Sequence, residues 1–158
     1  MKNNYTIPYY SIHNEKEIKG FFGEKYRFLS NFYSCNIKFN GLIYTSSECA
    51  YQAQKVKEMD RFYFQHCTAS ESKSLWKRYG SIYNKQEWDA KKLDLMKIIV
   101  FIKFYKNLDL RKELLNTGDR YLEELNHWRD SFWGVNCKTG IGQNQLGKIL
   151  MKIRDYWR

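Results

Sequence analysis

The sequence CNIKFNGLIYTSSECAYQAQK, residues 35–55, contains the strongest local structural signals in the chain. In its first half, apolar residues alternate with polar ones on both sides of Asn40-Gly41. Asn-Gly in this context is the strongest short-range signal for a β-hairpin, because both turn residues must adopt a positive φ. We therefore predict two short strands, residues 35–39 and 42–44, joined by a tight turn.

The second half of the same stretch predicts a helix that begins at residue 46 or 47 and runs to about residue 57. On a helix, Glu48, Gln52 and Lys55 would lie within about 40° of one another, so one face would carry a carboxylate, an amide and an amine. A carboxylate paired with a nucleophile suits hydrolysis. A purely structural interpretation is that the helix dipole favours Glu48 while Lys55 pairs toward solvent.

Apolar spacing predicts the remaining elements. Helices are expected to start near residue 59 and to span residues 70–79, 88–105, 109–115 and 143–156, with a strand at residues 120–125. Apolar side chains cover most of the circumference of the 88–105 helix, so we expect it to be buried and central. The polar, irregular residues 1–20 are predicted to form an N-terminal arm before a domain of residues 21–158. The fold class is therefore predicted to be α+β, a mainly helical single domain with a short β-hairpin near the N-terminus.

Composition excludes several classes of protein. Apolar residues make up 43% of the 158, which does not suit a disordered chain. No uncharged apolar stretch reaches the roughly 18–20 residues of a membrane helix, and no secretory signal is visible. The net charge of +10 favours an anionic partner such as a nucleotide, a phosphosugar or nucleic acid. A lysine-rich, solvated surface would produce the same charge.

The four cysteines and three histidines are scattered, and none forms the C-x-x-C pairs typical of zinc or redox sites. We therefore expect no metal site and structural, unpaired thiols. Such thiols suit a reducing compartment, which predicts a cytoplasmic location in a cell or in a virus-infected host.

Further candidate site residues lie outside the opening stretch. Asp130 precedes an aromatic loop containing Trp133, and aromatic faces stack on nucleobases; an Asp that caps a turn beside a core Trp is the alternative. Trp88 is either another stacking platform or part of the core. The glycines in residues 140–144 lead into the last helix, where they would either let backbone N–H groups approach an anion or form an ordinary helix lead-in.

Taken together and in order, short motifs along the chain resemble the NADAR family. The first are Phe22, Leu29-Ser30-Asn31-Phe32-Tyr33, Gly41, Tyr44, Ser47-Glu48, Tyr51-Gln52-Ala53 and Lys55. They continue with Trp88, Met96, Lys103-Phe104, Leu114-Leu115, Thr117-Gly118, Leu122, Glu124, Asp130, Trp133-Gly134, Gly142, Asn144, Leu146-Gly147-Lys148, Leu150-Met151 and Arg154. Each motif alone is weak, but the ordered set is specific and covers the chain from about Phe21 to its C-terminus.

The resemblance implies an N-glycosidase. NADAR proteins cleave ribosylamino-pyrimidine phosphates of the early riboflavin pathway or remove ADP-ribose from guanine bases in nucleic acid. The implied substrates are therefore a phosphorylated ribosyl-base or an ADP-ribosylated molecule, including ADP-ribosylated nucleic acid. No metal or organic cofactor and no membrane partner is implied. The alternative is a non-catalytic module that binds ADP-ribose, nucleotides or nucleic acid.

The resemblance also assigns roles to individual residues. Glu48 would be the principal catalytic carboxylate. Lys55 would attack the ribose C1 carbon through a Schiff base, or else stabilise charge or bind phosphate. Asp130 would bind ribose hydroxyls or assist proton transfer. The implied substrate-binding residues are Asn31, Gln52, Trp88, Trp133, Gly134 and Asn144. Residues 1–20 lie outside the resemblance and residues 78–86 match it poorly, so substrate choice is expected to reside there.

Overall fold

The computed structural model describes Pro8 and residues 10–158. The chain divides into two compact units: the first combines Met1–Ser30 with Arg111–Arg158, and the second is Asn31–Leu110. Helices form most of the secondary structure, and the strands between them are short. The predicted α+β, mainly helical class is therefore confirmed. None of the helices in the described part of the chain is long and apolar enough to cross a membrane.

The first unit begins with two strands, β1 (Ile12–His13) and β2 (Glu17–Lys19), which pair antiparallel. They lie within the segment that the sequence presents as an irregular arm. Ile18 in β2 is completely buried, which explains why this polar stretch is nevertheless ordered. The short helix α1 (Gly23–Tyr26) follows and leads directly into a 3-10 turn at Arg27–Leu29.

The second unit opens with the predicted hairpin. Strands β3 (Ile37–Phe39) and β4 (Leu42–Tyr44) pair antiparallel across a two-residue turn. Asn40 and Gly41 both have positive φ, 49° and 81°, as the sequence predicts. Turns of this kind match the right-handed twist of the strands, and the hairpin prediction is confirmed.

Helices make up the rest of the second unit. They are α2 (Ser47–Ala53), a 3-10 helix (Glu58–Gln65), α3 (Ala69–Tyr79) and α4 (Lys85–Lys106). Ser46 caps α2 by accepting the N–H of Cys49, as expected. However, α2 ends at Ala53, earlier than residue 57, and the helix predicted to start near residue 59 is of the 3-10 type. Helix α2 contacts α3, α4 and the 3-10 helix.

Helix α4 is amphipathic rather than buried all round. Its buried side chains are Met96, Ile99, Val100, Lys103 and Phe104. Ile98 and Tyr105, in contrast, are each 50% exposed. The sequence predicts that apolar side chains cover most of the circumference and bury this helix, and the prediction that it is buried is therefore wrong. Only the face that packs against other elements of the fold is shielded from water.

The chain re-enters the first unit within α5. The remaining elements are α5 (Leu108–Leu115), β5 (Tyr121–Glu123), β6 (Leu125–Asn126), β7 (Val135–Asn136) and α6 (Gln145–Tyr156). Strand β5 pairs parallel with β2, and β6 pairs parallel with β7. The predicted apolar face of α6 is buried at Leu146, Ile149, Leu150 and Ile153. This face packs on β5 and closes the core of the first unit.

The approach of α6 to β5 is close enough to require glycine. A Cβ atom on Gly147 would lie 2.2 Å from the carbonyl oxygen of Leu122 and 2.5 Å from the side-chain amide of Asn144. Real Cβ atoms do not tolerate such contacts with backbone, so a side chain here would push the helix from the strand.

We expect Gly147→Ala to lower the free energy of unfolding by about 1–3 kcal/mol, because it overpacks this contact. A decrease in stability would indicate the close contact, since Ala in place of Gly normally stabilises a helix by about 0.5–1 kcal/mol. Urea unfolding followed by circular dichroism measures the change. Lys148→Ala, at the exposed neighbouring position, should change stability by less than about 0.5 kcal/mol. An unchanged or higher stability of Gly147→Ala would contradict the close contact.

Candidate active site

Helix α2 is buried along its whole length although it carries polar side chains. All seven of its residues are buried, and Glu48 and Gln52 are each only 6% exposed. Burying a carboxylate is costly unless hydrogen bonds or charges compensate it. A buried acid on a short polar helix therefore indicates a functional site more strongly than a surface carboxylate does.

The Glu48 carboxylate is held by its neighbours on α2. The Gln52 Nε2 atom donates a hydrogen bond of 2.7 Å to Glu48 Oε1, at the i, i+4 spacing of one helix face. The backbone carbonyl oxygen of Asn31 accepts the backbone N–H of Glu48, 3.0 Å away. The side chain of Asn31 is itself anchored, because its Nδ2 atom donates to the sulfur of Met96 at 3.3 Å.

Three buried polar atoms on α2 and on Asn31, which bonds to its first turn, have no hydrogen-bond partner among the described residues. They are Asn31 Oδ1, Ser47 Oγ and Gln52 Oε1. Buried polar groups are normally satisfied, so each orphan calls for an explanation. The two amide oxygens could accept hydrogen bonds from the hydroxyl groups of a sugar, and the Ser47 hydroxyl could donate or accept one. This is the arrangement that the predicted roles of Asn31 and Gln52 require.

Lys55 lies just beyond the end of α2, surrounded by aromatic rings. Its backbone N–H still bonds to the carbonyl of Gln52, 3.1 Å away, so the helical path continues for one more turn. Its Nζ atom is 4.6 Å from the ring centre of Trp76, 5.2 Å from that of Trp88 and 5.6 Å from that of Tyr51. The amine is thus positioned by three ring faces, which attract its cationic form.

Burial lowers the pKa of Lys55 to about 8, well below the ordinary value of a lysine. Lys73, Lys77 and Lys92 lower it further by repulsion between like charges, whereas the Glu48 carboxylate raises it. A pKa near 8 leaves a useful fraction of the amine uncharged near neutral pH. An uncharged amine is the form that can attack carbon.

Sequence reasoning missed two members of this ring cluster. Tyr51 lies four residues before Lys55, so helical spacing was an available signal for it. Trp76 belongs to α3. Its contact with Lys55 depends on how two separate helices pack, which no local pattern reports. Trp88, predicted to be a stacking platform or core, lies 5.1 Å from Tyr51 between ring centres.

The predicted site residues are distributed over both units. Those in the second unit are Asn31, Glu48, Gln52, Lys55 and Trp88. Those in the first unit are Asp130, Trp133, Gly134 and Asn144. Contacts within the second unit join its group around α2, whereas the residues of the first unit have clear structural roles of their own.

Asp130 caps a turn. Its Oδ1 atom accepts the backbone N–H groups of Phe132 at 3.0 Å and Trp133 at 2.9 Å. The amide of Asn126 holds the backbone of Asp130 on both sides, donating to its carbonyl at 2.7 Å and accepting its N–H at 3.0 Å. The turn-capping interpretation of Asp130 is therefore correct, and a role in catalysis stays a prediction.

Asn144 and Gly134 also serve the fold. The Asn144 side chain accepts the N–H of Glu124 at 3.0 Å and donates to Tyr121 Oη at 3.0 Å and to the carbonyl of Leu122 at 2.8 Å. A Cβ atom on Gly134 would lie 2.4 Å from the carbonyl oxygen of Glu124. Both residues thus hold the segment after β5 in place, and their contact with substrate stays a prediction.

Two thiols, Cys49 on α2 and Cys67 after the 3-10 helix, lie close to each other. Cys67 donates its S–H to the sulfur of Cys49, 3.6 Å away, which lowers the pKa of Cys49 to about 6 and raises that of Cys67. All four cysteines are free. Within the described residues, no group of three His, Cys, Asp or Glu side chains is placed to hold a metal ion.

Comparisons with known proteins agree with the resemblance to the NADAR family that the ordered motifs indicate. The NADAR domain model matches residues 14–158. Riboflavin biosynthesis protein VVA0006 of Vibrio vulnificus is 37% identical over 134 residues, which are 84% of this chain but only 36% of that protein. N-glycosidase Npun_R5314 of Nostoc punctiforme is 34% identical over 136 residues, 84% of this chain and 86% of that protein. The NMR structure of the Escherichia coli protein YbiA matches with a TM-score of 0.75 and 27% identity, covering 94% of this chain and 89% of YbiA.

We expect the amine of Lys55 to titrate near pH 8. Reductive methylation with ¹³C-formaldehyde followed by NMR measures lysine titrations individually, and the signal missing from Lys55→Arg identifies this residue. In Glu48→Gln the midpoint should fall further, because the carboxylate that raises the pKa is gone. A Lys55 midpoint above pH 10, or a midpoint that rises in Glu48→Gln, would contradict the described environment.

Proposed function

Because the chain belongs to the NADAR family and is an N-glycosidase, we propose that it hydrolyses the bond between a base and the C1 carbon of a phosphorylated ribose. The observation that supports this most directly is the buried face of α2. There Gln52 orients the Glu48 carboxylate, and the low-pKa amine of Lys55 follows within two turns. An acid that accepts hydrogen bonds and an amine that is partly uncharged form a suitable pair for attack at C1.

In the proposed reaction the uncharged amine of Lys55 attacks C1 of the ribose. The bond from C1 to the base breaks as the bond to Nζ forms, and positive charge develops on the sugar, which the Glu48 carboxylate stabilises. Glu48 then takes a proton from the new ammonium and passes it to the departing base. Charges and protons therefore balance without any further group.

The second half of the reaction releases the sugar. The lysine-bound ribose opens to a Schiff base when its ring oxygen takes up the remaining proton of Nζ. Water adds to the imine carbon, the bond from C1 to Nζ breaks, and the free sugar aldehyde leaves with Lys55 restored. Glu48 would move the proton of the attacking water, and the unpartnered oxygens of Asn31 and Gln52 would bind sugar hydroxyls.

The substrate we favour is a free ribosylamino-pyrimidine phosphate. The Vibrio relative carries the name of a riboflavin biosynthesis protein, and the lysines around Lys55 create a positive field that attracts a phosphorylated molecule. ADP-ribosylated guanine in nucleic acid is the second candidate, which the net charge of +10 would also attract. Trp88, whose ring centre lies 5.2 Å from Lys55 Nζ, would contribute to base binding by stacking. We place the reaction in a reducing, cytoplasmic compartment because the cysteines are free.

Replacing Glu48 by Gln should lower kcat by about 10²–10⁴-fold, since proton transfer by a positioned carboxylate contributes that much. The assay is release of the base from a ribosylamino-pyrimidine phosphate and, separately, from ADP-ribosylated guanine DNA. Glu58→Gln, at an exposed position, removes the same charge and should retain full activity. Full activity of Glu48→Gln would overturn the role of Glu48, and wild-type protein that releases neither base would overturn the proposed substrates.

The covalent route predicts a pH profile and an adduct. Activity should rise with pH through about 8, because the uncharged fraction of Lys55 increases as its ammonium loses a proton. Borohydride added during turnover should reduce the imine to a stable secondary amine that mass spectrometry maps to Lys55. Lys55→Arg should abolish both activity and trapping. An adduct on another residue would exclude the Schiff base at Lys55, and an active Lys55→Arg variant would favour direct attack by water.

A further inference from the structure

A cavity of about 240 Å³ adjoins the candidate active site within the second unit. Its lining includes Asn40, Gln54, Arg61, Tyr83, Trp88 and Lys91. Trp88 belongs to both places, because it lines the cavity and its ring centre is 5.2 Å from Lys55 Nζ. Gln54 is the residue directly before Lys55 in the chain. A group bound in the cavity would therefore be a neighbour of the proposed nucleophile.

Arg61 has unused hydrogen-bonding capacity at this cavity. Its Nε atom is buried and has no hydrogen-bond partner among the described residues. The salt bridges within the described part of the chain do not include Arg61. A buried donor of a charged group without an acceptor costs free energy. Because Arg61 also lines the cavity and no described carboxylate forms a salt bridge with it, its positive charge can act on an anion bound there.

A second cation adds to this positive charge. Lys91, on the first half of α4, lines the same cavity, and its Nζ atom lies 5.1 Å from the ring centre of Tyr83. The described residues that line the cavity include no Asp or Glu. Two cations without a carboxylate between them create a local field that favours an anion, and guanidinium groups suit phosphate oxygens well.

The size of the cavity restricts what it can hold. Pockets for drug-sized ligands typically measure about 300–1,000 Å³, so 240 Å³ is too small for a whole nucleotide but sufficient for a phosphate group. Tyr83 lies in the segment, residues 78–86, that matches the family pattern poorly. The lining therefore includes a residue of the segment in which substrate choice is expected to reside.

We propose that Arg61 and Lys91 form the subsite that binds the phosphate of the substrate, while Lys55, 5.2 Å from the ring centre of Trp88, acts on the sugar. The inference rests on the proposed function for the identity of the bound molecule. The subsite would hold the phosphorylated end of a ribosyl-base and would discriminate against the corresponding nucleoside without phosphate.

Binding of ribose 5-phosphate, measured by isothermal titration calorimetry, tests the subsite without requiring turnover. Arg61→Gln should weaken binding by about 10–100-fold, as expected for loss of a charged hydrogen-bonding group. Lys97→Gln is the matched control, because it removes one exposed positive charge from the same helix, α4, as Lys91 and should leave affinity unchanged. Lys91→Gln, also at an exposed position, provides a second test that does not disturb buried packing.

Wild-type protein that does not bind ribose 5-phosphate at millimolar concentrations would overturn the subsite. Equal affinities of wild type, Arg61→Gln and Lys91→Gln would also overturn it. Base release is measured separately: a wild type that binds ribose 5-phosphate through Arg61 but releases no base would contradict only the proposed reaction. With an active enzyme, Arg61→Gln should raise KM for the phosphorylated substrate about 10-fold or more, with kcat little changed.

Discussion

The burial of the Glu48 carboxylate on α2 is the constraint around which the second unit is organised. A helix with every residue buried normally carries apolar side chains, because each buried polar group needs a partner. Here Ser46 caps the first turn, Asn31 accepts the N–H of Glu48, and Gln52 donates to its carboxylate. The hairpin and helices that contact α2 therefore exclude water from an acid while preserving its hydrogen bonds.

The same exclusion of water tunes the neighbouring amine. Burial and nearby lysines lower the pKa of Lys55, whereas Glu48 opposes them, so the carboxylate and the amine have coupled charges. The rings of Tyr51, Trp76 and Trp88 attract the cationic amine and restrict where it can lie. The result is an amine that is both oriented and partly uncharged, which a lysine in water is not.

The unpartnered polar atoms of this arrangement lower the stability of the second unit locally. Asn31 Oδ1, Ser47 Oγ and Gln52 Oε1 lack protein partners, and a buried unsatisfied polar group costs about 1–3 kcal/mol. A sugar that supplied those hydrogen bonds would recover part of that cost. The first unit differs, because the side chains of Asp130 and Asn144 already form hydrogen bonds with backbone groups of the fold. Matched polar residues of the family pattern therefore include structural as well as candidate functional members.

Sequence alone determined the features that depend on neighbours in the chain. The Asn40-Gly41 turn, the Ser46 cap and the apolar face of α6 follow from φ preferences, capping hydrogen bonds and helical spacing, which act over a few residues. Ordered motifs also identified Glu48, Gln52 and Lys55. Tertiary structure alone decided the end of α2, the contact of Trp76 with Lys55 and the cavity at Arg61. Those features arise where separate elements pack, and packing depends on distances in space that a one-dimensional pattern does not contain.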